Sequence, residues 1–433
     1  MKPKFWSAYG RADRSRALLT ASRCYDFLPL VTPNLRTRRT IPRDILIRIK
    51  PMLQFRRITT QKRFIPQIDG LRFVAISSVV LLHLYAALEA GIIPAPWSMS
   101  SDLPKRGVEL FFAISGFILG IPFASHYIRK AARVDLKQYF LRRLTRLEPP
   151  YFISLLVWAV VQMIIGHRHF GEMGPHLLSS FAYLHNAFFG AFPGAINIVA
   201  WSLEIEIQFY VLVPLLALLF AIPSASIRRT VLAILMIASG FLSIVAHRNI
   251  HLRASILYYL AFFLAGFLVC DLYLTRREWK PSFRWDVLAL CGWPLVWYFE
   301  GNVGHILLPF LIVVLYLAAF RGRICSAIFS NRVITNVGGM CYSIYLFHVL
   351  VISAARRLST SLHIGQNFWA YYGLQALLIL PCVLICCGAF FLIIERPCMD
   401  REWPRKLWRW WQELVSSAAD PHARLRRASL NPK

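Results

Sequence analysis

An arginine and a histidine lie eleven residues apart, at Arg72 and His83, on either side of a long uncharged stretch. Eleven steps of 100° bring both side chains to within about 20° of each other on a helix, and the rise between them is roughly 16 Å. One helix face therefore carries a cation near its start and an imidazole beyond its middle. Such a histidine in a membrane span either acts on a substrate or forms a structural hydrogen bond between helices.

Two carboxylates fall at comparable depth in later apolar segments, Glu109 at the start of the second and Glu206 near the start of the fourth. Glu204 and Glu206 are about 200° apart on a helix, so at most one of them faces a shared interior. We favour Glu206, because Ser202 and Tyr210 lie one turn away on either side. Glu109 has an alternative role as an interfacial residue favoured by the helix dipole. A histidine beside a carboxylate is suited to taking a proton from a hydroxyl group.

Three further polar side chains lie within apolar segments. His348 is about 15 Å along the ninth segment, where it either contacts a substrate or packs between helices. Ser115 and Ser202 are expected to bond back to carbonyl groups of their own helices.

Arginines cluster just before the third apolar segment, at Arg142, Arg143 and Arg146. Arg142 and Arg146 are one turn apart and share a helix face. Guanidinium groups bind phosphate oxygens in pairs of hydrogen bonds, so this face is suited to a phosphate-rich ligand. The alternative is that these residues only fix the topology of a membrane protein.

The composition identifies the elements that must hold these residues. The chain has 433 residues, of which 57% are hydrophobic and only 16% charged, with a mean hydropathy of +0.51. These values exclude an ordinary soluble enzyme and indicate an all-α polytopic membrane protein. About ten transmembrane helices are predicted, at 71–90, 107–123, 149–166, 201–222, 230–246, 255–273, 286–300, 305–320, 338–355 and 369–394.

The net charge of +28 does not indicate a nucleic-acid partner, because the basic residues flank apolar segments. With the N-terminus placed in the cytoplasm, the inner loops hold sixteen Lys and Arg residues and the outer loops seven. This bias predicts an inner (plasma) membrane protein with both termini cytoplasmic. Membrane lipid is then an expected partner.

The two ends of the chain are strongly basic. Residues 1–64 carry sixteen Lys and Arg against three acidic residues, which predicts a cytoplasmic extension that is disordered or lies on anionic lipid. A third alternative is that translation starts at Met52. Residues 401–433 are predicted to form a basic cytoplasmic tail, and residues 65–400 the membrane domain between them.

Cysteine and histidine usage gives no sign of a metal site. The nine cysteines include no CxxC pair, which favours packing roles. The longest outer loop, 167–200, contains four irregularly spaced histidines, which are expected to be solvated and not to bind metal.

The order of these motifs resembles the acyltransferase-3 family of integral membrane acyltransferases, which includes polysaccharide O-acetylases and nodulation-factor acetyltransferases. The similarity covers roughly residues 64–400. The segments that carry it are Ile68–Arg72 with His83, Gly107–Phe117, the arginine stretch ending at Pro149–Tyr151, Trp201–Tyr210, Tyr342–His348 and Glu395–Pro397.

The resemblance implies an acyl donor, usually acetyl-CoA, that binds from the cytoplasm and an acceptor hydroxyl on the far side. It gives His83 catalytic weight and Arg72, Arg142 and Arg146 a role in holding the donor. Many members have Asp where this chain has Glu109, and often a second Glu where it has Ile207, which leaves Glu206 as the remaining carboxylate there. Some members carry an additional extracytoplasmic hydrolase-like domain, which is not expected here.

We therefore expect O-acylation, with acetyl as the expected group, of a cell-envelope or exported glycan or lipid-linked saccharide. His83 would act as the base or help to form an acyl relay, oriented by Glu206 or Glu109, while His348 and Tyr210 contact the substrate. No permanently bound cofactor and no metal are expected. The alternatives are a transporter or flippase for an anionic or glycolipid substrate, and a structural subunit of a glycan export complex.

Overall fold

In the computed structural model of the chain, the residues described are 64–89, 95, 105–275, 280–299, 301–362, 366–400 and 402–419. The predicted N-terminal extension lies outside them except for Phe64, as does the end of the predicted C-terminal tail, 420–433.

The described residues form helices and no strand, which confirms the all-α prediction. The helices in chain order are α1 (Pro66–Glu89), α2 (Arg106–Arg129), α3 (Leu136–Ile164), α4 (Phe170–Phe181), α5 (His185–Phe189), α6 (Trp201–Leu216), α7 (Ala225–Ala246), α8 (Ile250–Arg253), α9 (Ile256–Thr275), α10 (Phe283–Tyr298), α11 (Gly301–Arg321), α12 (Arg323–Phe329), α13 (Arg332–Gly339), α14 (Cys341–Ser359), α15 (Phe368–Phe390), α16 (Arg396–Cys398) and α17 (Trp403–Ala419).

Eight helices of the described chain are long and apolar enough to cross a membrane, and a ninth span results if α13 and α14 are counted as one segment bent by 72°. The sequence predicted about ten. The difference lies at the predicted span 286–300, where α10 has only 16 residues, about 24 Å of helix against the roughly 30 Å of a bilayer core.

The third span begins earlier than predicted. The predicted span 149–166 began at Pro149, but Pro149 and Pro150 both lie inside α3, which begins at Leu136. The side chain of Asp135 caps this start by accepting a hydrogen bond from the backbone N–H of Gln138 at 3.1 Å. The arginine cluster therefore lies on a helix and has a fixed face.

Glycines allow the closest helix contacts. Where α2 crosses α9, a Cβ atom on Gly116 would overlap the carbonyl oxygen of Phe263, and one on Gly266 would overlap that of Ala113. At the bend between α13 and α14, Gly338 lies against the backbone of Asp69 in the same way. This last contact holds the start of α1, with Arg72, beside the end of α13.

The end of the last span changes its winding. Residues Phe391–Glu395 form a π-helical turn that contains the first residue of the Glu395–Pro397 motif. The buried Glu395 carboxylate accepts hydrogen bonds from the backbone N–H of Ser343, at 3.0 Å, and from its hydroxyl. Widened turns of this kind often occur at functional sites, and this one fixes the start of α14.

Candidate active site

A cavity of about 740 Å³ lies among α1, α2, α3, α6 and α14. It is at the end of the helices where α1 begins and α2 ends, which we call the proximal side; the opposite end is the distal side. Its charged lining residues are Asp69, Arg72, Arg133, Asp135, Arg142, Arg143, Arg146, Glu206, Glu395 and Asp400. All three arginines predicted to hold the donor are among them.

The arginines of the lining differ in how firmly they are held. Arg72 is ion-paired with Asp69 at 2.6 Å, and its side chain is only 12% exposed. Arg142 is exposed and donates to the side chain of Gln138 at 3.4 Å, whereas Arg146 is half-buried. An anion in the cavity would therefore meet Arg72, which an ion pair holds in place, together with an exposed Arg142 and a half-buried Arg146.

Arg143 is a fourth arginine of the lining, for which the sequence favoured no separate role. Its guanidinium lies 3.7 Å from the ring centroid of Tyr139 and donates to the Tyr139 carbonyl at 2.7 Å. It also lies 5.5 Å from the ring of Tyr210. Stacking on aromatic rings fixes the plane of an arginine, so Arg143 is held between α3 and α6.

Glu206 forms the polar centre of the cavity. Its Oε1 accepts hydrogen bonds from the hydroxyls of Ser115, at 2.7 Å, and Tyr210, at 2.6 Å. Ser115 was expected to bond to its own helix, and this expectation was wrong. The reason is that α2 and α6 meet at this level, where the carboxylate is a stronger acceptor than a carbonyl group that already takes part in the helix.

Tyr345 forms the inner end of the cavity. Its hydroxyl lies 2.6 Å from the hydroxyl of Ser202 and donates to the carbonyl of Val199 at 2.9 Å. Its ring packs edge-on against that of Phe111, with 6.2 Å between the centroids. On the other side, the centroid of the His348 ring is 6.1 Å away. Tyr345 therefore separates the cavity from His348.

His83 and His348 meet directly beyond this tyrosine. Their ring centroids are 4.9 Å apart, with an angle of 77° between the planes. Neither is among the described residues that line the cavity. The sequence placed both at mid-depth but gave no sign that they touch.

Backbone carbonyl groups set the tautomers of both rings. Nδ1 of His83 lies 2.8 Å from the carbonyl of Val79, and Nδ1 of His348 lies 3.0 Å from that of Ile344. A carbonyl only accepts, so Nδ1 donates, and in the neutral ring Nε2 carries the lone pair. Nε2 of His348 is buried and has no hydrogen-bond partner among the described residues.

Neither carboxylate expected to orient His83 is among its described contacts. Glu206 bonds to Ser115 and Tyr210, as given above. Glu109 is buried and ion-paired with Arg106 at 2.8 Å, and Arg106 also donates to the carbonyl of Phe299. The carbonyl of Val79, one turn before His83 on α1, orients the imidazole instead.

Glu204 lies in different surroundings from Glu206, as their angular separation requires. It is buried and accepts a hydrogen bond from the backbone N–H of Asn186 at 2.8 Å.

The histidines of the loop 167–200 were expected to be solvated, but two of them contact each other. His185 is buried and lies 3.0 Å from His176, and burial, with His176 as the second cause, lowers the pKa of His185 to about 4. In the described part of the chain, no three His, Cys, Asp or Glu residues are grouped to hold a metal.

Comparison with known proteins decides the family. The model of the acyltransferase domain of the acyltransferase-3 family matches residues 65–391, which is most of the chain and contains Arg72, His83, Glu206 and His348. The chain belongs to the acyltransferase-3 family.

The curated relatives share only about a quarter of their residues with this acyltransferase over the matched segments. The chain is 27% identical to the peptidoglycan O-acetyltransferase OatA of Listeria monocytogenes over 170 residues, 37% of this chain and 25% of that protein. It is 28% identical to the O-acetyltransferase OatA of Staphylococcus aureus over 193 residues, 42% and 30% of the two chains. The match therefore spans less than a third of either relative.

A third relative is matched over more of its length. A putative acetyltransferase of Acidianus two-tailed virus is 25% identical over 273 residues, 60% of this chain and 68% of the viral protein. No solved structure matches the acyltransferase.

Proposed function

We propose that the protein moves an acyl group, acetyl in the expected case, from acyl-CoA bound at the proximal side to a hydroxyl of a cell-envelope or exported glycan. The proximal side is cytoplasmic in this proposal, both termini lie there, and the membrane is the inner membrane. The observation that carries the proposal is the arginine-lined cavity whose lining includes Tyr345, since the Tyr345 ring lies next to His348, and His348 contacts His83. Acyl transfer by the family, and relatives that are named O-acetyltransferases, support it.

The donor is the cavity's proposed occupant. The cavity volume of about 740 Å³ is within the range of ligand pockets. Arg72, Arg142 and Arg146 bind the CoA phosphates at the mouth, and the pantetheine chain directs the thioester towards Tyr345. The acceptor enters from the distal side, which keeps the two substrates apart until their reacting atoms meet.

His83 is the proposed general base. Its Nε2 takes the proton of the acceptor hydroxyl while the hydroxyl oxygen attacks the thioester carbonyl. The C–S bond then breaks as the ester bond forms, and the departing thiolate takes the proton from His83, which leaves free CoA and a neutral imidazole. Nε2 of His348, buried and otherwise unpaired, accepts a hydrogen bond from the acceptor and holds it in place.

Glu206 acts on the donor side. Because it accepts from the Tyr210 and Ser115 hydroxyls, it fixes the hydroxyl groups that face the thioester. Tyr210 contacts the donor beside Arg143. Glu109 has a positioning role through Arg106 at the distal end of α2.

The test is acyl transfer in membrane vesicles supplied with radiolabelled acetyl-CoA, comparing the parent with His83→Gln at matched expression. His169→Gln, an exposed change at the start of α4, is the matched control. Label in glycan with the parent and the control, but not with His83→Gln, supports the proposal. Transfer by all three removes His83 from the mechanism. If the parent neither labels glycan nor binds CoA, transport of an anionic substrate becomes the better account.

A further inference from the structure

The helix α17 begins five residues after the last membrane-spanning segment, Phe368–Cys398, has ended. It has 17 residues and is not one of the candidate spans of the described chain. Its charged residues are spread along the sequence, so it has no uncharged stretch long enough to cross a bilayer. It is therefore a helix of a different kind from those that build the active site.

Its side chains separate onto two faces. At 100° a residue, the apolar ones fall within an arc of about 140°, and the cations fall opposite, between about 200° and 300° from Trp403. The apolar side chains of the described part are Trp403, Leu407, Trp408 and Trp411. The cations are Arg405, Lys406 and Arg409.

The apolar face is uncovered. The exposed fractions of Leu407, Trp408 and Trp411 are 51%, 59% and 52%. The two tryptophan rings stack on each other, with 5.4 Å between the centroids. Contiguous apolar surface of this kind marks a contact with another molecule or with lipid.

Its position favours lipid as the occupant. The start of α17 is tied to the proximal end of α3, since the indole N–H of Trp403 donates to the carbonyl of Thr145 at 2.8 Å. Five residues do not carry the chain far from the end of a span, so the exposed rings lie at the level of the bilayer boundary. Tryptophan is the side chain that this boundary favours, and amphipathic helices with cationic polar faces bind there.

The cations select the headgroups. Lys406 is paired with Asp400 at 2.5 Å and Arg405 with Glu402 at 3.1 Å, yet their side chains remain 63% and 77% exposed. Cations at this boundary are attracted to anionic lipid.

We propose that α17 lies in the plane of the proximal leaflet, with Leu407, Trp408 and Trp411 in the lipid and its cations among anionic headgroups. Asp400 and the residues before it line the cavity mouth, so this helix also anchors the mouth to the membrane surface. The inference does not depend on the proposed transfer reaction.

Hydrogen–deuterium exchange of the full-length protein in nanodiscs tests it. A helix of this length is marginal in water by itself, so slow amide exchange over 403–412 requires docking. The lipids compared are phosphatidylcholine alone and phosphatidylcholine with phosphatidylglycerol. Two matched triple variants are compared. The apolar-face triple is Leu407→Gln, Trp408→Gln and Trp411→Gln. The cationic-face triple is Arg405→Gln, Lys406→Gln and Arg409→Gln.

The parent is expected to exchange slowly in both lipids and more slowly with phosphatidylglycerol. The apolar-face triple should exchange at least about tenfold faster in both, while the cationic-face triple should lose only the difference between the lipids. Unchanged amide exchange in the membrane spans shows that each variant is folded. If the apolar-face triple is not folded, the single variant Trp408→Gln replaces it. Fast exchange in the parent, or no acceleration in the apolar-face variant, overturns the proposal. It is also overturned if native mass spectrometry finds a dimer that only the apolar-face variant loses, because a second copy then covers the face.

Discussion

His83 on α1 and His348 on α14 lie edge to face, with their ring centroids 4.9 Å apart. Each ring directs Nδ1 to a carbonyl of its own helix, so neither depends on a carboxylate for its orientation. Two neutral imidazoles in contact offer two Nε2 acceptors at one point of the membrane interior. This pair, and not a His–carboxylate pair, is the centre of the proposed chemistry.

Removing the arginines of the cavity should weaken donor binding. A hydrogen bond to a charged group contributes about 1.5–3 kcal/mol, so we expect Arg146→Ala to raise the Kd for acetyl-CoA by about tenfold or more. Arg142→Ala should have a smaller effect, because that side chain is exposed and more strongly screened. Isothermal titration of the detergent-solubilised protein measures both.

Arg248→Ala is the control for this series, since it removes an exposed arginine at the distal end of α7. A Kd that stays the same in the double Arg142→Ala, Arg146→Ala variant would contradict the donor site.

Tyr345 should limit the size of the acyl group. It closes the inner end of the cavity, and Ser202 and Val199 hold its hydroxyl. Replacing Tyr345 by Ala removes the ring, so we expect the ratio of hexanoyl to acetyl transfer to rise by about tenfold or more. A rise of this size corresponds to loss of a penalty of about 1–3 kcal/mol against the longer acyl chain. Competition between the two labelled donors in one vesicle preparation measures the ratio.

Tyr342→Phe is the control, because it keeps the ring of another tyrosine that lines the cavity and removes only a hydroxyl that bonds to the carbonyl of Leu147. If the ratio of the two products is the same in the parent and Tyr345→Ala, the tyrosine is not the limiting wall.

Stability should fall in mild acid because of His185. Burial and His176 lower the pKa of His185 to about 4 in the folded protein, from 6.5 in the unfolded chain. Between these values the unfolded chain binds a proton that the folded protein does not, so the free energy of unfolding decreases as the pH falls through this window, by at most about 1.4 kcal/mol per unit. Above pH 6.5 the group makes no difference.

Thermal unfolding in detergent at pH 7.5 and pH 5 measures this effect as a fall in Tm. His185→Gln should reduce the fall, and His169→Gln should leave it as in the parent. An equal fall in all three proteins would show that other groups are responsible.

The crossing of α2 and α9 should not tolerate a larger residue than glycine. A Cβ atom on Gly266 would overlap the carbonyl of Ala113, so Gly266→Ala forces the backbones apart at a cost of about 1–3 kcal/mol. The expected result is a lower Tm in detergent. Gly373→Ala on α15, where a Cβ atom meets nothing, is the control and should leave Tm the same or slightly higher.

Much of the site could be predicted from the sequence, because the angle between residues on one helix is fixed by their spacing. That rule correctly separated Glu204 from Glu206 and put Arg142 and Arg146 on one face. The rule does not predict which helices contact each other. The contact of His83 with His348 and the bond from Ser115 to Glu206 are both made between helices far apart in the chain, so neither could be predicted. The start of α3 was also missed, since a Pro–Pro pair is tolerated inside a helix when neighbouring groups accommodate the freed carbonyls.

The most direct test of the account is to separate donor binding from transfer in His83→Gln. General-base catalysis contributes about 10²–10⁴-fold, so the account predicts that glycan labelling from acetyl-CoA falls by this factor while the Kd for acetyl-CoA remains as in the parent. Labelling at the parental rate, or loss of donor binding together with loss of transfer, would contradict a base that lies beyond Tyr345 and outside the donor cavity.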